Sequence, residues 1–73
     1  MNKFIGGSLD ETDFHIENFE DETFHLTNID TLQQEKYLKI KIHTNGLAYT
    51  FWVYEGLDES LKAQRITAYL GNA

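Results

Sequence analysis

Residues 36–55 read KYLKIKIHTNGLAYTFWVYE, two alternating runs joined by Asn45 and Gly46. Asn-Gly between such runs is the strongest short hairpin signal, because both central residues of a type I′ turn need positive φ. A two-residue turn pairs Thr44 with Leu47, and the rest of the ladder follows by counting outward. Ile42 meets Tyr49, Ile40 meets Phe51 and Leu38 meets Val53 on one face. His43 meets Ala48, Lys41 meets Thr50, Lys39 meets Trp52 and Tyr37 meets Tyr54 on the other. Aliphatic residues thereby face aromatic or branched partners, the pairing that stabilises sheets most, and a one-residue slip would destroy the match. The face of Leu38, Ile40, Ile42, Tyr49, Phe51 and Val53 is the expected core. A lone hairpin is marginal in water, so another element must cover that face.

The cover is expected downstream, in a helix over residues 58–70. Asp58 suits the N-cap, Glu59 the first turn and Gly71 the stop. Leu57, Leu61 and Ala68 make one apolar stripe, which Ile66, Tyr69 and Leu70 widen around the helix.

Upstream, period-two alternation puts Phe14 and Ile16, then Phe24 and Leu26, on one face of a second, acidic hairpin over residues 13–29, with Glu20, Asp21 and Glu22 at its tip. Asp30 reads as the cap of a single helical turn through Glu35, a connector to the central hairpin. Residues 1–12, with Gly6 and Gly7 among Phe4, Ile5 and Leu9, suit a tethered arm or edge strand. The whole is one domain, 1–73, of the α+β class: a small antiparallel sheet of two β-hairpins, about four strands, with the C-terminal helix packed on one face. The chain has no proline, so charge alone is left to guard its sheet edges.

Composition narrows the chemistry. The absence of cysteine excludes disulfides, thiolate metal sites and cysteine nucleophiles. No apolar run approaches the roughly 20 residues that cross a bilayer, and the N-terminal apolar run is too short for a signal peptide, so no membrane association and a cytoplasmic location are expected. The net charge of −6 is unevenly spread. Residues 1–35 hold nine acids and one base, whereas residues 36–73 hold three acids and five bases.

Catalysis is not expected, because a small two-layer domain rarely encloses a water-excluding cleft and neither Ser8 nor Ser60 sits in an activating motif. In one register His15 and His25 face each other with Glu17 nearby, a conceivable metal set, but the preferred reading is an ordinary exposed face, with neither metal nor cofactor. Tyr37, Lys39, Lys41, Trp52 and Tyr54 form a basic-aromatic face of the kind that binds single-stranded nucleic acid. The net negative charge argues against that use. The same face suits a protein contact or homodimer, while the simplest reading has Lys39 stacked on Trp52.

The acidic half offers the other candidate surface: Asp10, Glu11, Asp13, Glu17, Glu20, Asp21 and Glu22. Crowded carboxylates repel one another, which favours a partner that uses the charge. The expected partner is a protein with a basic cleft, such as a nuclease, polymerase or defence complex, blocked by a small inhibitor of phage or mobile-element type that imitates DNA charge. A structural or assembly subunit acting through homo-oligomerisation is the alternative.

Overall fold

A computed structural model describes residues 2–16 and 18–71. Four strands, β1 (Asn2–Ile5), β2 (Thr23–Thr27), β3 (Gln34–Thr44) and β4 (Leu47–Tyr54), precede one helix, α1 (Glu59–Gly71). The sheet order is β1-β4-β3-β2. The fold is α+β, a four-stranded sheet with a C-terminal helix on one face.

The central hairpin has the register that its turn dictates. Tyr37 to Thr44 pair with Tyr54 to Leu47 residue by residue, and Asn45 and Gly46 take φ of 51° and 77°. Gly46 is glycine because the left-handed region costs it no Cβ clash.

Upstream of the hairpin, the strand partners differ from expectation. Thr23–Thr27 does pair antiparallel, but with β3, in the register Phe24↔Tyr37 and Leu26↔Glu35. Among the described residues it has no ladder with 13–16, so the acidic hairpin expected over 13–29 does not form. Residues 13–16 and 18–22 instead cross the sheet irregularly, touching β1 through one Lys3↔Asp13 bridge. The physical reason is burial: Phe14 and Phe19 reach Trp52 from a crossing loop, which ladder pairing with β2 would not allow. The one-turn connector capped by Asp30 is also replaced. Asn28 Oδ1 accepts the N–H groups of Asp30 and Thr31 at 2.9 and 3.3 Å, closing an Asx-type turn between β2 and β3. The two hairpins therefore share β3.

Residues 2–5 form an edge strand. It runs parallel to β4, with Phe4↔Trp52 and Ile5↔Val53, so the sheet is mixed rather than wholly antiparallel. Parallel entry puts Phe4 on one face and Ile5 on the other, both buried.

Two clusters flank the sheet. Ile5, Tyr49, Phe51 and Val53 are buried beneath Leu57, Ile66, Tyr69 and Leu70, so α1 covers the face assigned to it. Asp58 caps the helix, its Oδ2 accepting the Ser60 N–H at 3.1 Å. Leu61 and Ala68, seven residues apart, share a stripe that points to solvent, and Leu61 is 47% exposed. Only one side of the wide apolar arc is used, because a single helix meets a single sheet face. Leu38, Ile40 and Ile42 stay half-buried.

The second cluster corrects the expectation of an open basic-aromatic face. Phe4, Phe14, Tyr37 and Trp52 are buried, with Leu9, Phe19, Phe24 and Tyr54 packed around them. Four of the five phenylalanines thus cover the side of the sheet opposite the helix.

Candidate functional site

The acid-rich N-terminal half is stitched to the sheet by its own polar groups. Past β1 the chain turns through Gly6 and Gly7, at φ of 84° and 65°. The Tyr37 hydroxyl donates to the Gly6 carbonyl at 2.9 Å and accepts the Leu9 N–H at 3.1 Å. A Cβ on Gly7 would collide with that hydroxyl, so glycine is required there for space as well as for φ. Burial pushes the Tyr37 phenol pKa up, keeping it a neutral donor. The Glu35 carboxylate accepts the Ser8 N–H at 3.2 Å.

Three of the seven carboxylates proposed for partner binding are engaged inside the molecule. Asp10 Oδ1 accepts the Gly6 N–H at 2.8 Å and an Arg65 Nη2 hydrogen bond at 2.7 Å. Burial pushes the Asp10 carboxyl up, but the hydrogen bonds from Arg65 and Gly6 and the guanidinium charge outweigh it and hold the pKa below the ordinary aspartate value. The reciprocal bond to Asp10 raises the Arg65 pKa. Glu11 lies 3.5 Å from the same guanidinium, and Asp13 pairs with Lys3 at 3.4 Å. These acids fasten the segment after β1 to α1 and to β1 itself. Glu17 lies outside the described residues.

Glu20, Asp21 and Glu22 differ. All three are exposed, and none has an ion pair among the described residues. Their backbone is nevertheless held. The Lys39 N–H donates to the Glu22 carbonyl at 2.9 Å, continuing the β2–β3 ladder by one residue. On the other side, Phe19 sits 5.4 Å from Phe14 and from Trp52, and 5.9 Å from Phe24, edge-on to each. The three carboxylates stand on a segment anchored at both ends.

Beside them lies an open cleft of about 250 Å³ between the crossing loop and strands β3 and β4. Trp52, Phe14 and Phe19 line it, with Lys39, Lys41, Asn18 and Glu20 among the polar groups. Lys39 Nζ lies 5.2 Å from the Trp52 ring centroid, a cation–π contact, as the simplest reading of this face has it. Trp52 is 1% exposed and its Nε1 donates to Asn2 Oδ1 at 2.9 Å; Tyr37 is 0% exposed. Neither ring presents a face on which a nucleic-acid base stacks. Tyr54 is half-buried against Tyr37, at 5.8 Å, and Lys41 alone of the five basic-aromatic residues is exposed.

His15 and His25 are not partners. His25 pairs with Lys36 on β3, and His15 lies in the irregular segment. Period-two alternation places Phe14 and Phe24 in a ladder and so conceals the covering role of the phenylalanines. Their number was the available signal: residues 4, 14, 19 and 24 are all phenylalanine, more apolar surface than one face of a short hairpin consumes.

No protein-family model matches the chain, and comparison with curated proteins and with solved structures likewise gives no match. Among the described residues no helix is long and apolar enough to cross a membrane.

Proposed function

We propose that this protein is a non-enzymatic binding module that presents Glu20, Asp21 and Glu22 to a basic site on a partner protein. The observation that supports this reading is the contrast among the acids: Asp10 and Asp13 are paired with Arg65 and Lys3, while three consecutive exposed carboxylates on an anchored segment have no ion pair among the described residues. Anchoring reduces the conformational entropy lost on docking. The partner class follows from charge, since a cationic cleft that ordinarily holds nucleic acid presents regularly spaced lysines and arginines. Duplex DNA carries one charge per roughly 1.7 Å of axis, so three carboxylates replace only a few phosphates. The module occupies one spot in such a cleft. A small acidic chain of this kind suits an inhibitor from a phage or mobile element that acts in the cytoplasm on a nuclease, polymerase or defence complex.

The test is capture from lysate of the source cell with the wild-type protein and with a Glu20→Gln, Asp21→Asn, Glu22→Gln variant, at low and high salt. The wild type should retain a nucleic-acid-binding protein at low salt and lose it at high salt, and the variant should retain none while keeping its fold. Equal capture by both proteins would remove the proposal.

A further inference from the structure

Among the described residues, four stretches of sheet backbone lack a neighbouring strand: the short Leu47–Tyr49 end of β4, which β1 does not reach, and three others, two of which are guarded. The outer edge of β1 is paired by the chain that follows it: the Phe4 N–H donates to the Thr12 carbonyl at 2.9 Å, the Glu11 N–H to the Phe4 carbonyl at 3.0 Å, and the Phe14 N–H to the Asn2 carbonyl at 2.9 Å. Beyond Lys39, β3 has no partner opposite β4 among the described residues, and there Lys41 supplies the charge that blunts an edge.

The third stretch is β2, and it has no guard. Its sequence, Thr-Phe-His-Leu-Thr, contains no acid, lysine, arginine, proline or glycine. Parity shows which of its groups are free. The Lys39 N–H reaches the Glu22 carbonyl and the Asn28 N–H reaches the Gln33 carbonyl, so even-numbered residues here point their backbone groups at β3. Thr23, His25 and Thr27 therefore direct their N–H and C=O groups outward. No described strand lies beyond them.

We propose that β2 pairs antiparallel with β2 of a second copy about a two-fold axis at His25, joining two four-stranded sheets into one. Outward residues then meet outward residues: His25 faces the second copy's His25, and Thr23 faces the second copy's Thr27. Each of these pairs exchanges both backbone hydrogen bonds. Three observations select a second copy as the occupant. The strand is self-complementary in this register, as an isologous interface requires. Phe24 and Leu26, both half-buried, lie on the aromatic face, where each meets the other residue of the second copy and extends the cluster around Trp52 across the axis. The charges also favour the antiparallel arrangement, in which the one like-charge pair, Glu20 with the second copy's Asp30, lies beyond the strand ends. Glu20, Asp21 and Glu22 precede the strand, so antiparallel pairing sets Asp21 and Glu22 beside the second copy's Ile29 and Asn28, whereas parallel pairing would align carboxylate with carboxylate. Ile29, 85% exposed, gains a neighbour in the process.

Sedimentation equilibrium over a concentration series tests the interface with a charge-swap pair. Thr23→Lys with Thr27→Lys sets like charges opposite one another at both ends of the strand, while Thr23→Glu with Thr27→Lys sets opposite charges there. The wild type should dimerise, and the second variant should dimerise about tenfold more tightly than the first at low salt. Both variants should keep the buried emission of Trp52. A wild type that stays monomeric at millimolar concentration, or two folded variants of equal affinity, would overturn the proposal. Amide exchange reads the same contact without substitutions. The N–H groups of Thr23, His25 and Thr27 should slow as concentration rises, and rates independent of concentration would refute the pairing. Salt separates this interface from the acidic one: two copies of net charge −6 associate better as salt screens them, whereas the acidic segment loses a basic partner.

Discussion

Replacing Phe14 with alanine should release the crossing loop from the sheet and expose the single tryptophan. The Phe14 side chain is 7% exposed, and its ring stacks on Trp52 at 4.6 Å with an interplanar angle of 16°. Phe4 and Phe19 each lie 5.4 Å away and Phe24 lies at 5.6 Å. Burial of such a side chain contributes about 1.5 to 3 kcal/mol, and favourable ring pairs add about 0.5 to 1.5 kcal/mol each without summing fully. Truncation of buried phenylalanine to alanine costs about 3 to 5 kcal/mol in cores generally, and this site belongs at that level. A domain of this size is stable by about 4 to 11 kcal/mol, at 0.05 to 0.15 kcal/mol per residue, so the variant should lose a large share of it. Urea unfolding followed by Trp52 emission measures the loss, and acrylamide quenching of the native state measures exposure. Phe14→Leu, which keeps most of the volume, should cost about 1.5 kcal/mol or less. If Phe14→Ala costs under about 1 kcal/mol and leaves Trp52 as shielded as in the wild type, the loop does not cover that face and the reasoning fails.

Three further outcomes follow from the polar fastening of the N-terminal segment. Asp10 has a depressed folded-state pKa, so its contribution is present above the unfolded aspartate value of about 3.9 and is lost as pH falls through the folded value. Asp10→Asn should therefore be less stable than the wild type at neutral pH, by about 1 kcal/mol or less for so exposed a pair, and the gap should close in acid; a gap constant with pH contradicts the assignment. Gly7→Ala should destabilise by about 1 kcal/mol or more, measured as a lowered melting temperature, because it adds a left-handed strain to a collision with the Tyr37 hydroxyl. Tyr37→Phe leaves the Leu9 N–H without its acceptor and should cost about 1 to 3 kcal/mol by the same measurement, with no fall in cost at low pH.

Residues 36–55 determined their own hairpin, because Asn45-Gly46 selects one turn and the alternation on either side selects one register. Asp58 likewise specified the start of α1 through a hydrogen bond within its own first turn. These features rest on interactions between residues close in sequence, and local chemistry is sufficient for them. Tertiary structure decided the rest. The alternation at Phe14–Ile16 and Phe24–Leu26 suited a ladder between the two segments equally well, since backbone hydrogen bonds do not depend on side-chain identity. What separates the alternatives is burial across the sheet: Phe14 and Phe19 pack on Trp52, and Thr23–Thr27 takes β3 as its neighbour. The same choice converted Tyr37 and Trp52 from an expected surface into core, engaged Asp10 and Asp13 in fastening the chain, and left Glu20, Asp21 and Glu22 as the outward charge. Which of these carboxylates are ion-paired is settled by contacts with Arg65 and Lys3, one of them 55 residues away in the chain, and local pattern carries no record of such distances.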